Sequence, residues 1–166
     1  MLQTVKVNKK YFTKLDLSIL PSPCYVIDTN VLEDNLKIFN KLKTDTNVKI
    51  LLALKAFSLK HLFPIISNVL DGVCASGLNE AKLGNKYFGG LISTYSPAFK
   101  ASEFRKIMKY SHHITFNSIS QINKYKKLCI DKKIDIGIRI NPLYSEVEVS
   151  KYNSSNLSSR LGIHIN

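Results

Sequence analysis

The chain has 166 residues, 45% of them hydrophobic, which is enough for one ordinary core but short of the roughly 250 residues of a complete eight-stranded barrel. No apolar run approaches the roughly 20 residues of a membrane span. Lys and Arg number 24 against 12 Asp and Glu, a formal net charge of +12. The positive charges are scattered lysines rather than an arginine-rich block, so we expect neither a nucleic-acid nor a membrane partner.

Strand-like and helix-like patterns alternate along the chain. A strand-like run at 22–27 precedes Asp28 or Thr29, either of which can cap a helix whose apolar residues recur at helical spacing up to Leu42 and which fades in KTDTN. An apolar run at 48–54 is typical of a strand buried on both faces. The remaining pattern predicts helices over 62–70, 78–88, 102–110 and 120–132, strands over 72–75, 91–94, 114–116 and 134–140, and a long polar loop after Ile140.

This alternation predicts a parallel sheet covered by helices, either an open doubly wound sheet or a closed barrel. An open dinucleotide-binding sheet typically has a GxGxxG turn after its first strand, and the sequence has none. Polar residues follow all five strands, and in a barrel that end carries the active site; helix capping is the alternative explanation. They are Lys55, then Ser76, Gly77, Asn79 and Glu80, then Tyr95 and Ser96, then Asn117 and Ser118, then Arg139 and Asn141.

Lys55, at the end of the apolar run, allows two interpretations. Its stem can lie along the strand while its ammonium group reaches water. Alternatively, it can be a nearly dry amine with a lowered pKa that serves as a nucleophile or Schiff-base anchor. An arginine such as Arg139 suits a cofactor with anionic oxygens, because its charge is permanent. Together the two side chains suit pyridoxal phosphate, whose ring accepts electrons from a carbanion.

The segment ALKAF around Lys55 resembles the cofactor-lysine motif of the fold type III, alanine-racemase-like pyridoxal-phosphate decarboxylases. The branch that acts on carboxylated polyamines, such as carboxynorspermidine and carboxyspermidine, is the most similar. The NPLYSEV stretch, followed by YN and SRLG, favours this branch over the diaminopimelate and ornithine decarboxylases. The matching stretches are PSPCYVID at 21–28, CASGLNEAKLG at 74–84, STYSPAF at 93–99, FNSISQI at 116–122, RINPLYSEVEVSKYN at 139–153 and SRLGI at 159–163.

The resemblance implies a partial (β/α)8 TIM-type barrel, with pyridoxal 5'-phosphate as its cofactor and a carboxylated polyamine as its substrate. Lys55 matches the lysine that carries the cofactor, and Arg139 matches an arginine beside the cofactor ring. The candidate residues beside them are Ser76, Glu80 and Asn117 for the cofactor, and Glu146 and Arg160 for the substrate. The Glu146 carboxylate suits the ammonium groups of a polyamine but is equally suited to water, and Arg160 has no assigned chemical role.

Family members are considerably longer than this chain, and the rest of the barrel and a C-terminal β-domain supply further cofactor and substrate groups. We therefore expect residues 1–27 to contribute a strand to that β-domain and residues 28–166 to form the first five βα units of the barrel. The intact family implies a homodimer. We expect the 166-residue chain alone to be an inactive fragment of the enzyme, and an inert or merely cofactor-binding half-barrel is the non-enzymatic alternative.

Other candidate residues give weaker signals. His112 and His113 lack a carboxylate or a third ligand, so we interpret them as a solvated loop pair and expect no metal site. Cys74, within an apolar strand, is interpreted as an inert core thiol. The three cysteines, Cys24, Cys74 and Cys129, are widely spaced, and they favour a reducing compartment. With no apolar region typical of a secretory signal near Met1, we expect a cytoplasmic protein.

Overall fold

A computed structural model describes residues 16–164, which form a five-stranded, all-parallel sheet and its covering helices. The strands follow one another across the sheet in chain order: Leu51–Ala53 (β1), Gly72–Ala75 (β2), Leu91–Tyr95 (β3), His113–Phe116 (β4) and Asp135–Ile138 (β5). The α-helices are Thr29–Thr46 (α1), Phe63–Ser67 (α2), Leu78–Leu83 (α3), Ala101–Ile107 (α4) and Ile119–Asp131 (α5). Shorter elements are a π-helical turn at Gly84–Phe88 and 3-10 turns at Leu17–Ile19, Lys60–Leu62 and Ser150–Tyr152.

The predicted alternation of strands and helices is confirmed, with its five parallel strands. The strand predicted over 134–140 is, however, divided at Arg139. Beyond that residue Ile140–Asn141 (β6) leaves the main sheet and pairs in parallel with Ile163–His164 (β7). The first strand is also shorter than predicted, because only residues 51–53 pair in register with β2.

Helix α1 shows how local side chains fix the ends of an element. The Asp28 carboxylate accepts the amide of Asn30 at 2.9 Å, which satisfies a free N–H of the first turn. The helix continues to Thr46 and ends within the KTDTN stretch, as predicted, where Asn47 turns left-handed with φ of 54°. Neither α1 nor another helix within 16–164 is long and apolar enough to cross a membrane.

The hydrophobic core lies between the sheet and its helices, in two adjoining clusters. Beneath β1, β2 and β3 the ring of Phe63 meets Phe88 edge-on, with centroids 5.3 Å apart. Beneath β4 and β5 the ring of Phe104 stacks on Tyr125 with centroids 3.8 Å apart. Every second residue of the inner strands points into this layer, among them Val73, Ala75, Ile92, Ile114 and Phe116. The residues that alternate with them must therefore face the other side of the sheet, which is called the inner face below.

The strand predicted over 22–27 is not formed in the structure. Tyr25 is fully exposed, and Val26 and Ile27 are 39% exposed. A strand persists only where a neighbouring chain accepts its backbone hydrogen bonds, and within the described residues none pairs with this segment. The division of the chain at residue 27 stays a prediction.

Candidate active site

The face of the sheet away from the helices carries small side chains at its centre. Ala53, Cys74 and Ser93 line a shallow hollow on it. The hollow is also lined by Lys55, Ser76 and Tyr95, each of which lies two residues further along the same strand direction. In a closed barrel this face would be the interior, which bulky branched side chains usually fill, so the small side chains here, with Lys55, Ser76 and Tyr95 beside them, mark it as a candidate site.

Lys55 lies in the turn that follows β1, at the carboxyl end of the sheet. Leu54 before it points into the core and is only 2% exposed, whereas Lys55 is exposed. The expectations of a strand buried on both faces and of a nearly dry amine are therefore wrong for this structure. Helices cover only the side of β1 that carries Leu52 and Leu54, and water reaches the other side.

Cys74 lies beside Lys55 in the hollow. Its thiol is exposed on the inner face of β2, so its interpretation as a core thiol is wrong. Partial burial nevertheless desolvates Sγ and raises the pKa of the Cys74 thiol above its ordinary value, while the Lys55 charge acts in the opposite direction.

Ser76 and Glu80 are brought together at the end of β2. The Ser76 amide donates to Oε2 of Glu80 at 2.7 Å. Glu80 lies in the first turn of α3, where a carboxylate satisfies free N–H groups and complements the helix dipole. The carboxylate thus orders the turn that presents Ser76 to the hollow.

Tyr95 and Arg139 form a second pair at the ends of β3 and β5. Nη1 of Arg139 donates to the Tyr95 hydroxyl at 3.1 Å, and the guanidinium carbon lies 5.1 Å from the Tyr95 ring centroid. Both a hydrogen bond and a cation–π contact therefore hold the guanidinium. Within residues 16–164, no carboxylate forms an ion pair with Arg139.

Asn117, at the end of β4, connects this pair to the C-terminal segment. Its Oδ1 accepts from the Tyr95 hydroxyl at 2.8 Å and from the Gly162 amide at 2.7 Å, and its Nδ2 donates to the Arg160 carbonyl at 2.9 Å. Both lone pairs of the amide oxygen are thus in use. Arg160 contacts this cluster through its backbone carbonyl, and the residue is exposed.

His113 contradicts its interpretation as part of a solvated loop. It begins β4, and its Nδ1 lies 2.8 Å from Oγ of Ser93 on the inner face. Gly137 makes room for it, because a Cβ at that position would lie 2.8 Å from Nε2 of His113. His112 is exposed, but its Nδ1 accepts the Ile92 amide at 3.1 Å.

The residues predicted from the sequence to form the site do not include Ser93, Tyr95 or His113, although Tyr95 is among the polar residues that follow the strands and His113 is weighed as a metal ligand. The signal was present in the two-residue period of the strands, since the core residues Ile92 and Ile114 fix which neighbours face inward. The residues predicted for the site follow the strands, whereas Ser93 and His113 lie within them.

Glu146 lies apart from the cluster, on the exposed loop after β6, where its carboxylate accepts the Tyr144 hydroxyl at 2.8 Å. Among the described residues, no group of three His, Cys, Asp or Glu side chains could hold a metal ion. The hollow at Lys55 measures about 90 Å³, smaller than the roughly 300–1,000 Å³ of a small-molecule site. The hollow alone is therefore too small for such a site.

Comparison with curated proteins gives close relatives over most of this chain. The carboxyaminopropylagmatine decarboxylase of Synechocystis sp. is 39% identical over 147 residues, which cover 89% of this chain and 38% of that protein. The carboxynorspermidine/carboxyspermidine decarboxylase of Campylobacter jejuni is 36% identical over 144 residues, covering 87% and 37% respectively. The chain thus spans under two fifths of these relatives, in their N-terminal part. No family model matches it.

Solved structures give the same result for the fold. Carboxynorspermidine decarboxylase of Campylobacter jejuni, complexed with norspermidine, superposes with a TM-score of 0.76 at 34% identity, over 87% of this chain and 36% of that one. Diaminopimelate decarboxylase of Helicobacter pylori superposes with a TM-score of 0.66 at 17% identity, over 80% and 36%, and shows a shared fold alone. The predicted α/β class and partial TIM-type barrel are confirmed. Nearly nine tenths of this chain is homologous to the N-terminal part of the carboxynorspermidine decarboxylases, as its motifs predict.

Proposed function

We propose that this chain supplies the lysine-bearing part of a pyridoxal-phosphate-dependent decarboxylase that acts on carboxylated polyamines. The observation that carries the proposal is the position of Lys55, at the carboxyl end of β1 and in one hollow with Ser76 and Tyr95. Active sites of barrels are built at this end. The 33–39% identity to decarboxylases of carboxylated polyamines supports the same reaction class.

The side chains present fit pyridoxal phosphate. Lys55 presents a primary amine on the inner face, and Arg139 presents a guanidinium with no carboxylate partner in the described region. An aldehyde and anionic oxygens are the groups that such an amine and such a cation bind. When bound, the cofactor supplies an electron sink for the carbanion that loss of CO₂ leaves.

This chain's own residues then have distinct tasks. Lys55 would hold the cofactor, and its amine could later move a proton to or from the substrate. Ser76, fixed by Glu80, presents a hydroxyl group from the neighbouring strand end. Arg139 contributes positive charge, while Asn117, whose amide oxygen is fully used, keeps the strand ends together.

The first experiment maps the cofactor lysine. The full native protein is loaded with pyridoxal phosphate, reduced with borohydride and digested, and the labelled peptide is identified by mass spectrometry. We expect the label on Lys55, and we expect Lys55→Arg to abolish it. Lys82→Arg, on the exposed face of α3, is the matched control and should leave the label in place. A label on Lys60 or Lys82 would contradict the assignment.

Two classes of carboxylated polyamine compete as substrate. The relatives at 36% and 33% identity are named for carboxynorspermidine and carboxyspermidine, whereas the relative at 39% is named for carboxyaminopropylagmatine. We propose carboxynorspermidine and carboxyspermidine as substrates. We retain carboxyaminopropylagmatine as the alternative, because the relative named for it is more similar to this chain. The two classes differ at the far end, which is an amine in the first and a guanidine in the second.

The substrate experiment compares kcat/KM for carboxynorspermidine, carboxyspermidine, carboxyaminopropylagmatine, ornithine and diaminopimelate. We expect the carboxylated polyamines to exceed the two amino acids by at least about 10³-fold, the discrimination that a site built for polar groups achieves. Preference for ornithine or diaminopimelate would refute the proposal. Light scattering on the same preparation tests the homodimer that we propose for the intact protein.

A further inference from the structure

We propose that Tyr95 is a positioning residue that holds Arg139 in place and links it to the C-terminal segment at residues 160–162. The inference rests on the proposed function for the role of Arg139, but the contacts that carry it belong to this chain alone. Tyr95 lies between Lys55 and Arg139, the two residues expected to contact the cofactor. It lines the hollow that contains Lys55, and its hydroxyl accepts a hydrogen bond from Arg139.

The Tyr95 hydroxyl has a complete and directional set of partners. It accepts from Nη1 of Arg139 at 3.1 Å and donates to Oδ1 of Asn117 at 2.8 Å. Since a hydroxyl has only one proton to donate, the bond to Asn117 turns its lone pairs toward the guanidinium. The orientation of the hydroxyl is therefore set by Asn117.

Asn117 is in turn held from outside the main sheet. The same Oδ1 accepts the Gly162 amide, and Nδ2 donates to the Arg160 carbonyl. Gly162 has a φ of +85°, and a Cβ there would lie 2.8 Å from the Asn141 amide nitrogen, so only glycine lets the segment approach this closely. A line of hydrogen bonds thus runs from the 160–162 segment through Asn117 and Tyr95 to Arg139.

The Tyr95 ring makes a separate contribution. The guanidinium carbon lies 5.1 Å from the ring centroid, within the roughly 6 Å range of a cation–π contact. Tyr95→Phe therefore removes the hydroxyl link alone, while Tyr95→Leu removes the ring contact as well. This difference separates positioning by the hydrogen bond from simple packing.

The test measures arginine accessibility in the full native protein without cofactor. Phenylglyoxal modification is followed by mass spectrometry at Arg139, with the exposed Arg105 as the internal reference. We expect Tyr95→Phe to raise the Arg139 rate several-fold and Tyr95→Leu to raise it further, with the Arg105 rate unchanged. Tyr87→Phe is the matched control, because Tyr87 is an exposed tyrosine with the Lys60 and Lys86 ammonium groups over its ring, and it should change none of the rates.

An unchanged Arg139 rate in Tyr95→Phe would overturn the inference, and so would an equal rise at Arg139 and Arg105, which would indicate general loosening. A second experiment measures the Kd for pyridoxal phosphate by titration. Tyr95→Phe should raise this Kd about tenfold, which is the typical effect of losing a hydrogen bond to a charged group. If Arg139→Gln weakens binding and Tyr95→Phe does not, the positioning role is wrong and the proposed function stands. If the unaltered protein binds no cofactor, the proposed function fails, and the modification rates alone decide the role of Tyr95.

Discussion

At the scale of single residues, the inner face of the sheet combines groups that differ in reactivity. Lys55 and Cys74 lie in one hollow, so a molecule that occupies it covers both. Cys129 on α5 is buried in the core, while Cys24 is exposed in the segment before α1. The three cysteines therefore report three different environments within one chain.

We predict that alkylation by iodoacetamide distinguishes these thiols. Cys74 should react and Cys129 should not, and the Cys74 rate should reach half its maximum above the ordinary thiol pKa of about 8.5, because desolvation raises that pKa. Pyridoxal phosphate should slow modification of Cys74 and leave Cys24 unaffected. Peptide mass spectrometry across pH 7 to 10, as an approximate range, measures the rates; protection of Cys24 but not Cys74 would contradict the proposed site.

At the scale of elements, Asp71 joins α1 to the start of the sheet. Its Oδ2 accepts the Ile50 amide at 2.8 Å, and its Oδ1 accepts Nζ of Lys43 at 2.9 Å. Lys43 also donates to the Val69 carbonyl. The last turn of α1, the entry to β1 and the loop before β2 thus meet at one carboxylate.

The Asp71 contacts predict a pH dependence of stability. The hydrogen bonds from Lys43 and from the Ile50 amide lower the Asp71 pKa in the folded protein. Their stabilisation is complete above the unfolded-state pKa of about 3.9, and it is lost as pH falls through the lower folded-state value. We expect Asp71→Asn to cost about 1–3 kcal/mol near pH 6 and to reduce the acid-induced loss of stability seen in the unaltered protein.

Urea unfolding of the full native protein between about pH 6 and pH 3 tests this expectation. Asp34→Asn is the control, because Asp34 pairs with Lys37 on the exposed surface of α1, where an ion pair contributes little. Parallel pH profiles for Asp71→Asn and the unaltered protein would show that the Asp71 contacts do not stabilise the fold.

Local pattern was sufficient to predict most elements but not the site within them. Leu36, Phe104 and Ile107 point into the core because of their helical spacing, which is a property of the sequence alone. The link between Asn117 and Gly162 joins residues 45 positions apart, and no local pattern contains such a contact. The exposure of Lys55 depends on what covers the other face of β1, which is also a long-range property.

At the scale of the whole molecule, the described sheet has two open edges. β1 pairs only with β2, and β5 only with β4, within the part of the chain that the structure covers. Apolar side chains near the β5 edge are exposed, with Ile138 at 48% and Ile140 at 53%. Unpaired backbone groups beside exposed apolar side chains favour association with other chains.

We predict that the 166-residue polypeptide, produced alone, aggregates, unfolds without a cooperative transition and releases no CO₂ from carboxynorspermidine. The reason is that its open edges and water-exposed inner face forgo contacts that a net stability of about 5–15 kcal/mol requires. Calorimetry and a norspermidine assay with added pyridoxal phosphate measure both properties. A soluble chain with a sharp transition and Lys55-dependent turnover would contradict the prediction.

The pairing of β6 with β7 has a consequence for how the loop between them can vary. The two strands hold both ends of the segment at 142–162 in register, and the Ile163 amide also donates to the Arg139 carbonyl at 2.8 Å. With its ends fixed, the entropy of closing such a loop grows only logarithmically with length, and doubling it costs about 0.6 kcal/mol. Insertions and deletions in this loop are therefore thermodynamically cheap, and its length can vary while the strand ends that carry Lys55 and Arg139 stay unchanged.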